Sequence, residues 1–236
     1  MSDRTDELAA NLADVRARIS RAATAAGRDP DSVTLVAISK TWPADDVRRL
    51  FELGVKAFGE NRDQEAAPKA AAVADLDLTW HFVGQLQTNK AKSVVRYADV
   101  VESVDRGRLV TALERAAEAA HRHPACLIQV DLDPDAGLDG KPRGGALPAE
   151  VADLAAAITR AQYLTLGGVM AVAPLGSEPA GAFARLADLA SDLRRTYPRA
   201  TILSAGMSAD LEAAVAAGAT HVRVGTAVFG RRPPVR

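Results

Sequence analysis

A lysine at the end of an apolar run is the first residue in this chain that could do chemistry. Lys40 closes the sequence VAISKT, residues Val36 to Thr41. The run has the composition of a buried strand, so we expect the amine at the strand's carboxyl end, where β/α barrels keep their functional sites. A lysine amine held there can attack a carbonyl carbon and form an imine. A solvated lysine is the alternative at such a position.

Two segments near the other end of the chain could hold an anion. They are SAGMSAD, from Ser204 to Asp210, and RVGT, from Arg223 to Thr226, and each follows an apolar run. Their glycines let backbone N–H groups approach a ligand closely, the hydroxyls of Ser208 and Thr226 can add hydrogen bonds, and a helix starting near Ala209 favours negative charge. Loops after strands seven and eight of a barrel often bind phosphate. Two ordinary turns are the alternative.

Arg223 is predicted to point into the barrel. It alternates with Val222 and Val224, which would then face the helices, because successive side chains of a strand point to opposite faces. A charged side chain inside a barrel needs a partner. The sequence leaves two options open, a salt bridge to Asp or Glu and contact with a ligand.

The pattern of strands and helices that positions these residues predicts one α/β domain. Short apolar runs, rich in Val, Leu and Ile, alternate with helical segments, as expected of strands buried on both faces. The eight predicted strands are Val33–Ser39, Val55–Gly59, Thr79–Gly84, Asp99–Ser103, Cys126–Asp131, Leu164–Val172, Thr201–Ser204 and His221–Gly225. The predicted helices between them are Ala44–Leu53, Asp63–Val73, Asn89–Tyr97, Arg106–Arg122, Pro148–Arg160, Ala180–Tyr197 and Ala209–Ala217.

Eight strands with a helix after seven of them predict an α/β fold, a (β/α)8 TIM barrel. Leu8, Leu12, Val15 and Ile19 form one apolar stripe on an extra N-terminal helix that ends near Gly27. Residues 1–236 are expected to form one domain, since no linker or repeat interrupts the pattern. An open, doubly wound sheet is the alternative, because periodicity does not determine closure.

Composition and spacing argue against several classes of function. Lys plus Arg number 29 against 30 Asp plus Glu, which disfavours nucleic-acid and membrane-surface partners. No apolar segment resembles a leader or membrane span, so we expect a cytoplasmic protein. Cys126, the only cysteine, is expected to be a buried thiol. The four histidines and the acidic segment from Asp131 to Asp135 lack metal-ligand spacing, so no metal is expected.

At these residues the sequence closely resembles the pyridoxal phosphate homeostasis protein family, barrel relatives of the alanine racemase N-terminal domain. The matching stretches are VAISKT (Val36–Thr41), FGENRDQE (Phe58–Glu65), WHFVGQLQTNK (Trp80–Lys90), GGVMAV (Gly167–Val172) and SAGMSADLEAAVAAGATHVRVGTAVFG (Ser204–Gly230). They run from the first strand to the last, and the final stretch is long enough to be specific.

The resemblance implies a cofactor, pyridoxal 5′-phosphate (PLP), held as a Schiff base on Lys40. It implies that the phosphate is surrounded by Ser204, Gly206, Met207, Ser208, Gly225 and Thr226. Arg223 is expected to approach the pyridine nitrogen, while Asn61, His81 and Met170 are expected to line the pocket. The segment Asp133–Leu147 is richer in Gly and Pro than the family leads us to expect, which puts a pocket role for Lys141 or Arg143 in doubt.

Within the resemblance, we expect a PLP carrier or buffer without catalysis, which implies transient contact with PLP-dependent apoenzymes. An arginine beside the ring nitrogen keeps that nitrogen unprotonated and weakens the electron sink, although alanine racemases work despite such an arginine. Racemases also resemble this chain plus a further β domain that supplies a second acid/base, whereas the sequence ends six residues after Gly230. Tyr97, Tyr163 and Tyr197 are expected away from the barrel mouth.

Two other functions stay open. The first is a PLP-dependent, racemase-like enzyme acting on a small amino acid. The second is a barrel enzyme acting on an unrelated phosphorylated substrate, with Lys40 as an imine-forming or general-base lysine.

Overall fold

The computed structural model describes residues 3–133, 144–174, 176 and 178–231 of the chain. Lys141, Arg143 and most of the Gly- and Pro-rich segment that contains them lie outside the described residues, so the expectation about their pocket role is not addressed.

Eight parallel strands close into a barrel in the order β1 to β8, with each strand paired to its neighbours in sequence and β8 paired back to β1. The predicted (β/α)8 barrel is therefore confirmed, and the open-sheet alternative is wrong. The strands are β1 Thr34–Ile38, β2 Ala57–Glu60, β3 Thr79–Phe82, β4 Val100–Val104, β5 Ala125–Gln129, β6 Thr165–Met170, β7 Ile202–Ser204 and β8 His221–Val224.

The helices pack around the strands. They are α1 Asp3–Ala25, α2 Ala44–Glu52, α3 Asp63–Ala72, α4 Ala91–Val94, α5 Gly107–Ala120, α6 Val151–Arg160, α7 Pro179–Thr196, α8 Leu211–Ala216 and α9 Thr226–Phe229. The extra N-terminal helix is present as α1, and Gly27, at a φ of 67°, follows its end. A short helix, α9, also follows the eighth strand, where none was predicted.

One predicted helix differs in form. The segment Asn89–Tyr97 contains a 3₁₀ turn at Thr88–Lys90 and then a single α-helical turn, α4. The chain must reach β4 a few residues later, where the Asp99 N–H bonds to the Trp80 carbonyl. The connection is therefore too short for a longer helix.

The apolar core lies mainly between the barrel wall and the helices. Leu8, Leu12 and Val15 of α1 are buried in the same cluster as Val222 and Val224 of β8, so these two valines face the helices as predicted. Cys126 is fully buried, which confirms the expected buried thiol, and its burial raises the pKa of the thiol to about 12. No helix in the described part of the chain is long and apolar enough to cross a membrane.

The barrel interior is partly polar. Val36, Ile38 and Ala57 form one small apolar cluster. Val100, Leu127 and Met170 form a second. Four buried polar residues on other strands contact one another across the interior, namely His81, Glu102, Ser204 and Arg223. Arg223 reaches the carboxyl end of the barrel, where the candidate site lies.

Candidate functional site

A cavity of about 260 Å³ opens at the carboxyl end of the strands, close to β1, β7 and β8. We call it the mouth cavity. Its volume is slightly below the roughly 300–1,000 Å³ usual for small-ligand sites. It is lined by Ile38, Lys40, Trp42, Met207, Ser208, Ala209, Arg223, Gly225, Thr226 and Gly230. Six of the eleven predicted site residues are among them, namely Lys40, Met207, Ser208, Arg223, Gly225 and Thr226.

Lys40 reaches this cavity because of strand alternation. Val36 and Ile38 point into the barrel, whereas Ser39 points outward and bonds to Glu60 on the helix-facing side of β2. The next residue, Lys40, therefore returns to the inner side just past the end of β1, and it is partly buried there. The turn that follows is closed by a hydrogen bond of 3.0 Å from the Trp42 N–H to the Ser39 carbonyl.

The loop after β7 is shaped by Gly206, which has a φ of 88°. A Cβ on this residue would lie 2.6 Å from the Cβ of Ala214, so glycine is required both by conformation and by the close approach to α8. Asp210 then accepts a hydrogen bond of 2.5 Å from the Met207 N–H and closes the loop. Gly206 thus supports the loop from behind, while Met207 and Ser208 face the cavity.

The loops after β7 and β8 present free hydrogen-bond donors to the cavity. The hydroxyl oxygen of Ser208 accepts from the Ala227 N–H at 3.4 Å, which joins the two loops. The backbone N–H groups of Ser208, Ala209 and Thr226 donate to no acceptor within the described part of the chain. Together with the hydroxyls of Ser208 and Thr226 they form a cluster of donors suited to an oxyanion such as phosphate.

Arg223 forms the floor of the cavity and is held by a chain of buried polar groups. Its guanidinium donates to the Ser204 hydroxyl at 2.7 Å and to the Ala171 carbonyl at 2.8 Å. Glu102 lies 3.6 Å away and accepts from Ser204 at 2.7 Å. The arginine therefore has the carboxylate partner that sequence analysis left open, and it still lines the cavity.

The carboxylate of Glu102 also contacts His81, with 2.6 Å between Oε1 and Nδ1. Burial by itself would raise the pKa of Glu102, but the hydrogen bond from His81, the charge of Arg223 and the Ser204 hydroxyl bring it down to about 2. Glu102 is therefore a buried anion that balances the buried guanidinium.

Five predicted site residues do not line the mouth cavity. His81 contributes instead to a separate cavity of about 670 Å³ at the amino end of the strands. Met170 packs in the interior with Val100 and Leu127, and Asn61 follows β2, where its backbone contacts Gly84 closely. The other two, Ser204 and Gly206, lie behind the cavity wall in the contacts described above.

Sequence reasoning missed several residues of the site. Trp42 forms one wall, stacks on Phe229 at 5.7 Å between ring centroids, and carries the Arg4 guanidinium 4.4 Å above its ring. Glu102 was missed although a glutamate inside the apolar run VVESV is a visible signal. Its alternation places it on the inner face, where the predicted buried arginine needs an acidic partner.

The chain resembles known proteins over nearly its whole length. Residues 6–233 match the family described as alanine racemase, N-terminal domain. The chain is similar to the pyridoxal phosphate homeostasis protein of Mycobacterium tuberculosis, with 44% identity over 98% of this chain and 95% of that protein.

Two solved structures show the same architecture. PipY of Synechococcus elongatus, solved with PLP bound, superposes with a TM-score of 0.78 at 39% identity, over 94% of this chain and all of that chain. Alanine racemase of Clostridium difficile superposes with a TM-score of 0.72 over 97% of this chain and 57% of that chain. Its identity of 14% means that this likeness concerns the fold alone.

Proposed function

This chain belongs to the pyridoxal phosphate homeostasis proteins, within the family of the alanine racemase N-terminal domain, and we propose that it binds PLP at the mouth cavity and serves PLP homeostasis as a carrier or buffer. The observation that carries the proposal is the meeting of one lysine amine with a cluster of free backbone donors in a cavity of small-ligand size. The PLP-bound relative PipY supports it.

The donor cluster fits the phosphate of this cofactor. The backbone N–H groups of Ser208, Ala209 and Thr226 and the hydroxyls of Ser208 and Thr226 supply donors, as a phosphate dianion requires. Gly225 lines the cavity without a side chain, so the backbone of the loop after β8 can come close to the phosphate. In this proposal Met207 covers the outer side of the phosphate, and Gly206 maintains the conformation of the loop after β7.

The aldehyde of PLP, when bound, supplies a carbon on which a lysine can form a reversible Schiff base with loss of one water. Lys40 is the only lysine among the described residues that line the cavity, so we assign this bond to its Nζ. The reversible bond and the phosphate contacts together account for capture and release. Delivery to PLP-dependent apoenzymes would then require only transient contact at the barrel mouth.

Arg223 is assigned to the pyridine nitrogen side of the cofactor. Its charge is fixed in place by Ser204, the Ala171 carbonyl and Glu102, so it offers a donor but cannot take up a proton. A neighbouring ring nitrogen then stays unprotonated, which suits storage better than carbanion chemistry. We leave Asn61, His81 and Met170 out of the proposed contact set because they do not line the mouth cavity.

The absence of catalysis is part of the same proposal. Racemisation needs two acid/base groups on opposite faces of a substrate. Among the described residues that line the cavity, Lys40 and Arg223 are the ionisable ones, and the guanidinium of Arg223 is engaged by Ser204, the Ala171 carbonyl and Glu102, so the cavity does not present a pair of acid/base groups. The aromatic ring of Tyr163 stacks on His123 at 5.2 Å, Tyr197 packs beside the start of β6, and Tyr97 packs against α3 near Asp63. None of the three lines the mouth cavity. A single domain in the cytoplasm remains our expectation.

The first experiment locates the bound cofactor. We expect purified protein to take up PLP with a visible absorbance band, and borohydride reduction followed by peptide mass mapping to place the adduct on Lys40. Lys40→Ala should lose the band, whereas Lys92→Ala, at an exposed lysine of α4, should keep it. An adduct on another lysine would remove the site assignment, and protein that takes up no PLP would favour an unrelated phosphorylated substrate.

The second experiment separates a carrier from an enzyme. PLP-loaded protein is incubated with single L-amino acids while absorbance and chiral composition are followed. We expect exchange of the cofactor between lysine and amino acid without sustained turnover. Continued formation of the D-amino acid, abolished by Lys40→Ala, would establish the racemase-like function instead.

A further inference from the structure

The turn that carries Lys40 is held in an unfavourable backbone conformation. Thr41 has a φ of 70°, a region that β-branched residues rarely adopt. The hydrogen bond from Trp42 N–H to the Ser39 carbonyl makes Thr41 the third residue of a four-residue turn, the position at which type II turns normally need glycine. Such a conformation persists only where neighbouring groups hold it.

A buried ion cluster holds both sides of Lys40. The ammonium of Lys69, in α3, donates to the Ser39 carbonyl at 2.7 Å. The same ammonium bonds to Glu60 Oε1 at 2.5 Å and to Glu65 Oε1 at 2.9 Å. Glu65 in turn accepts the backbone N–H of Thr41. The residues before and after Lys40 are thus tied to one charged group.

The Ser39 side chain strengthens this connection. Its hydroxyl donates to Glu60 Oε1 at 2.7 Å, and its N–H bonds to the Gly59 carbonyl at 3.0 Å. Ser39 is therefore fixed through its amide, carbonyl and hydroxyl groups at the point where β1 ends. Little freedom is left in the direction of the following residue.

The cluster lies outside the barrel wall, behind the mouth cavity. Lys69 and Glu60 have side chains that are 5% and 0% exposed, and neither lines the cavity. Burial raises the pKa of Glu60, while the ion pair with Lys69 and the Ser39 hydroxyl oppose that change. The contacts of the cluster with the Lys40 turn are made through the backbone of Ser39 and Thr41 and through the Ser39 hydroxyl.

We propose that Lys69, with Glu60 and Glu65, is a positioning residue that fixes the strained turn so that the Lys40 amine points into the mouth cavity. This inference rests on the proposed function and adds a residue set to it. The amine must add to the aldehyde carbon as a water leaves, and that condensation depends on the direction of approach. The phosphate donors lie on other loops and should not depend on the cluster.

The experiment compares two ligands that differ at one group. PLP can form the C=N bond, whereas pyridoxine 5′-phosphate carries an alcohol in place of the aldehyde and binds without it. The rate of C=N formation is measured by absorbance. We expect it to be about 10-fold to 100-fold slower in Lys69→Met and several-fold slower in the milder variant Glu65→Gln. Affinity for pyridoxine 5′-phosphate should stay within about twofold of wild type. Lys92→Met, at the exposed lysine, is the matched control.

A rescue experiment separates positioning from general support of the fold. Thr41→Gly lets the turn adopt its φ without steric cost. The double variant Lys69→Met/Thr41→Gly should therefore regain a large part of the rate lost in Lys69→Met. Hydrogen exchange of the Trp42 amide, which reports the turn without any ligand, should accelerate in Lys69→Met and Glu65→Gln.

The outcomes distinguish this inference from the proposed function. Wild-type protein that forms no C=N bond with PLP would overturn the proposed function itself. Wild-type protein that forms it, with Lys69→Met and Glu65→Gln reacting at the same rate, would overturn only the positioning role. If Lys69→Met binds PLP and pyridoxine 5′-phosphate equally poorly, and Thr41→Gly does not restore the rate, then Lys69 merely supports the fold. If Lys69→Met does not fold, Glu65→Gln, whose side chain is 29% exposed, carries the test.

Discussion

Replacement of Glu102 by glutamine should destabilise the protein strongly while leaving its shape unchanged. The carboxylate is fully buried and lies within 2.6 Å of His81 and 2.7 Å of Ser204. A glutamine can keep one acceptor toward His81 and can donate its amide to the Ser204 hydroxyl. What Glu102→Gln removes is the negative charge 3.6 Å from the Arg223 guanidinium.

The magnitude follows from the lost charge pair. Breaking a buried ion pair by removing one partner costs about 3–5 kcal/mol, because the other charge stays buried. Arg223 keeps two other hydrogen-bond partners and borders the mouth cavity, so we expect the lower end, about 3 kcal/mol. The lowered pKa of Glu102 agrees in direction, since the hydrogen bond and electrostatic attraction of His81, and after them the charge of Arg223, favour the buried carboxylate.

The same reasoning fixes the pH dependence. A carboxyl group whose pKa is lowered by folding stabilises the protein above its unfolded pKa, and this stabilisation is lost as the pH falls toward the folded pKa. For Glu102 the window runs from about 4.5 down to about 2. The difference in unfolding free energy between wild type and Glu102→Gln should thus be constant from pH 7 to 5 and shrink below pH 4.5.

Urea denaturation at several pH values measures both effects. In a separate thermal unfolding experiment at neutral pH, the melting temperature of Glu102→Gln should fall by about 6–12 °C, given about 2–4 °C per kcal/mol for a chain of this size. Glu212→Gln is the matched control, because Glu212 pairs with Arg18 at the surface and should change stability by less than about 1 kcal/mol. Equal effects of the two substitutions, or a difference that does not vary below pH 4.5, would refute the buried charge pair.

Two further predictions concern other parts of the barrel. Burial lowers the pKa of His221 to about 4, so its contribution to stability is present above about pH 6.5 and is lost as the pH falls toward 4. In urea titrations the unfolding free energy of the wild type should fall by up to about 3 kcal/mol between about pH 6.5 and 4, whereas that of His221→Asn should vary less with pH. The same pH dependence in both proteins would contradict this. Gly206→Ala should cost about 2–4 kcal/mol and weaken phosphate-ester binding in calorimetry, because it adds overlap with Ala214 to an unfavourable φ. Gly218→Ala, with a φ of 101° and open space around it, should cost only about 1–2 kcal/mol and leave binding unchanged.

Much of the fold could be predicted because its signals are local. Short apolar runs separated by helical segments specify strands buried on both faces, and eight of them suit a closed barrel. The position of Lys40 after β1, and of the glycine-containing loops after β7 and β8, then follows from chain order. Closure itself was not visible in the periodicity, since it depends on hydrogen bonds between the first strand and the last.

The pocket role of His81, Met170 and Asn61 stays a prediction, and the sequence did not show where these residues lie relative to the mouth cavity. All three lie on a strand or just after one, where pocket residues are expected, but their level along the barrel axis could not be read from the sequence. His81 lines the cavity at the amino end of the strands, and Met170 packs against Val100 and Leu127 in the interior. Alternation gives the face of a strand, whereas register gives the level.

The inward-facing residues and the loops at the carboxyl end of the barrel could be predicted from local patterns, because both follow from strand alternation and parallel chain direction. The partners of these residues could not, because they come from distant parts of the chain. Ser204 meets Glu102 from 102 positions away, and Lys69 reaches back from α3 to the turn that holds Lys40. Such contacts depend on the stagger of the closed sheet and on how each helix packs over it, and no segment of the chain encodes them alone.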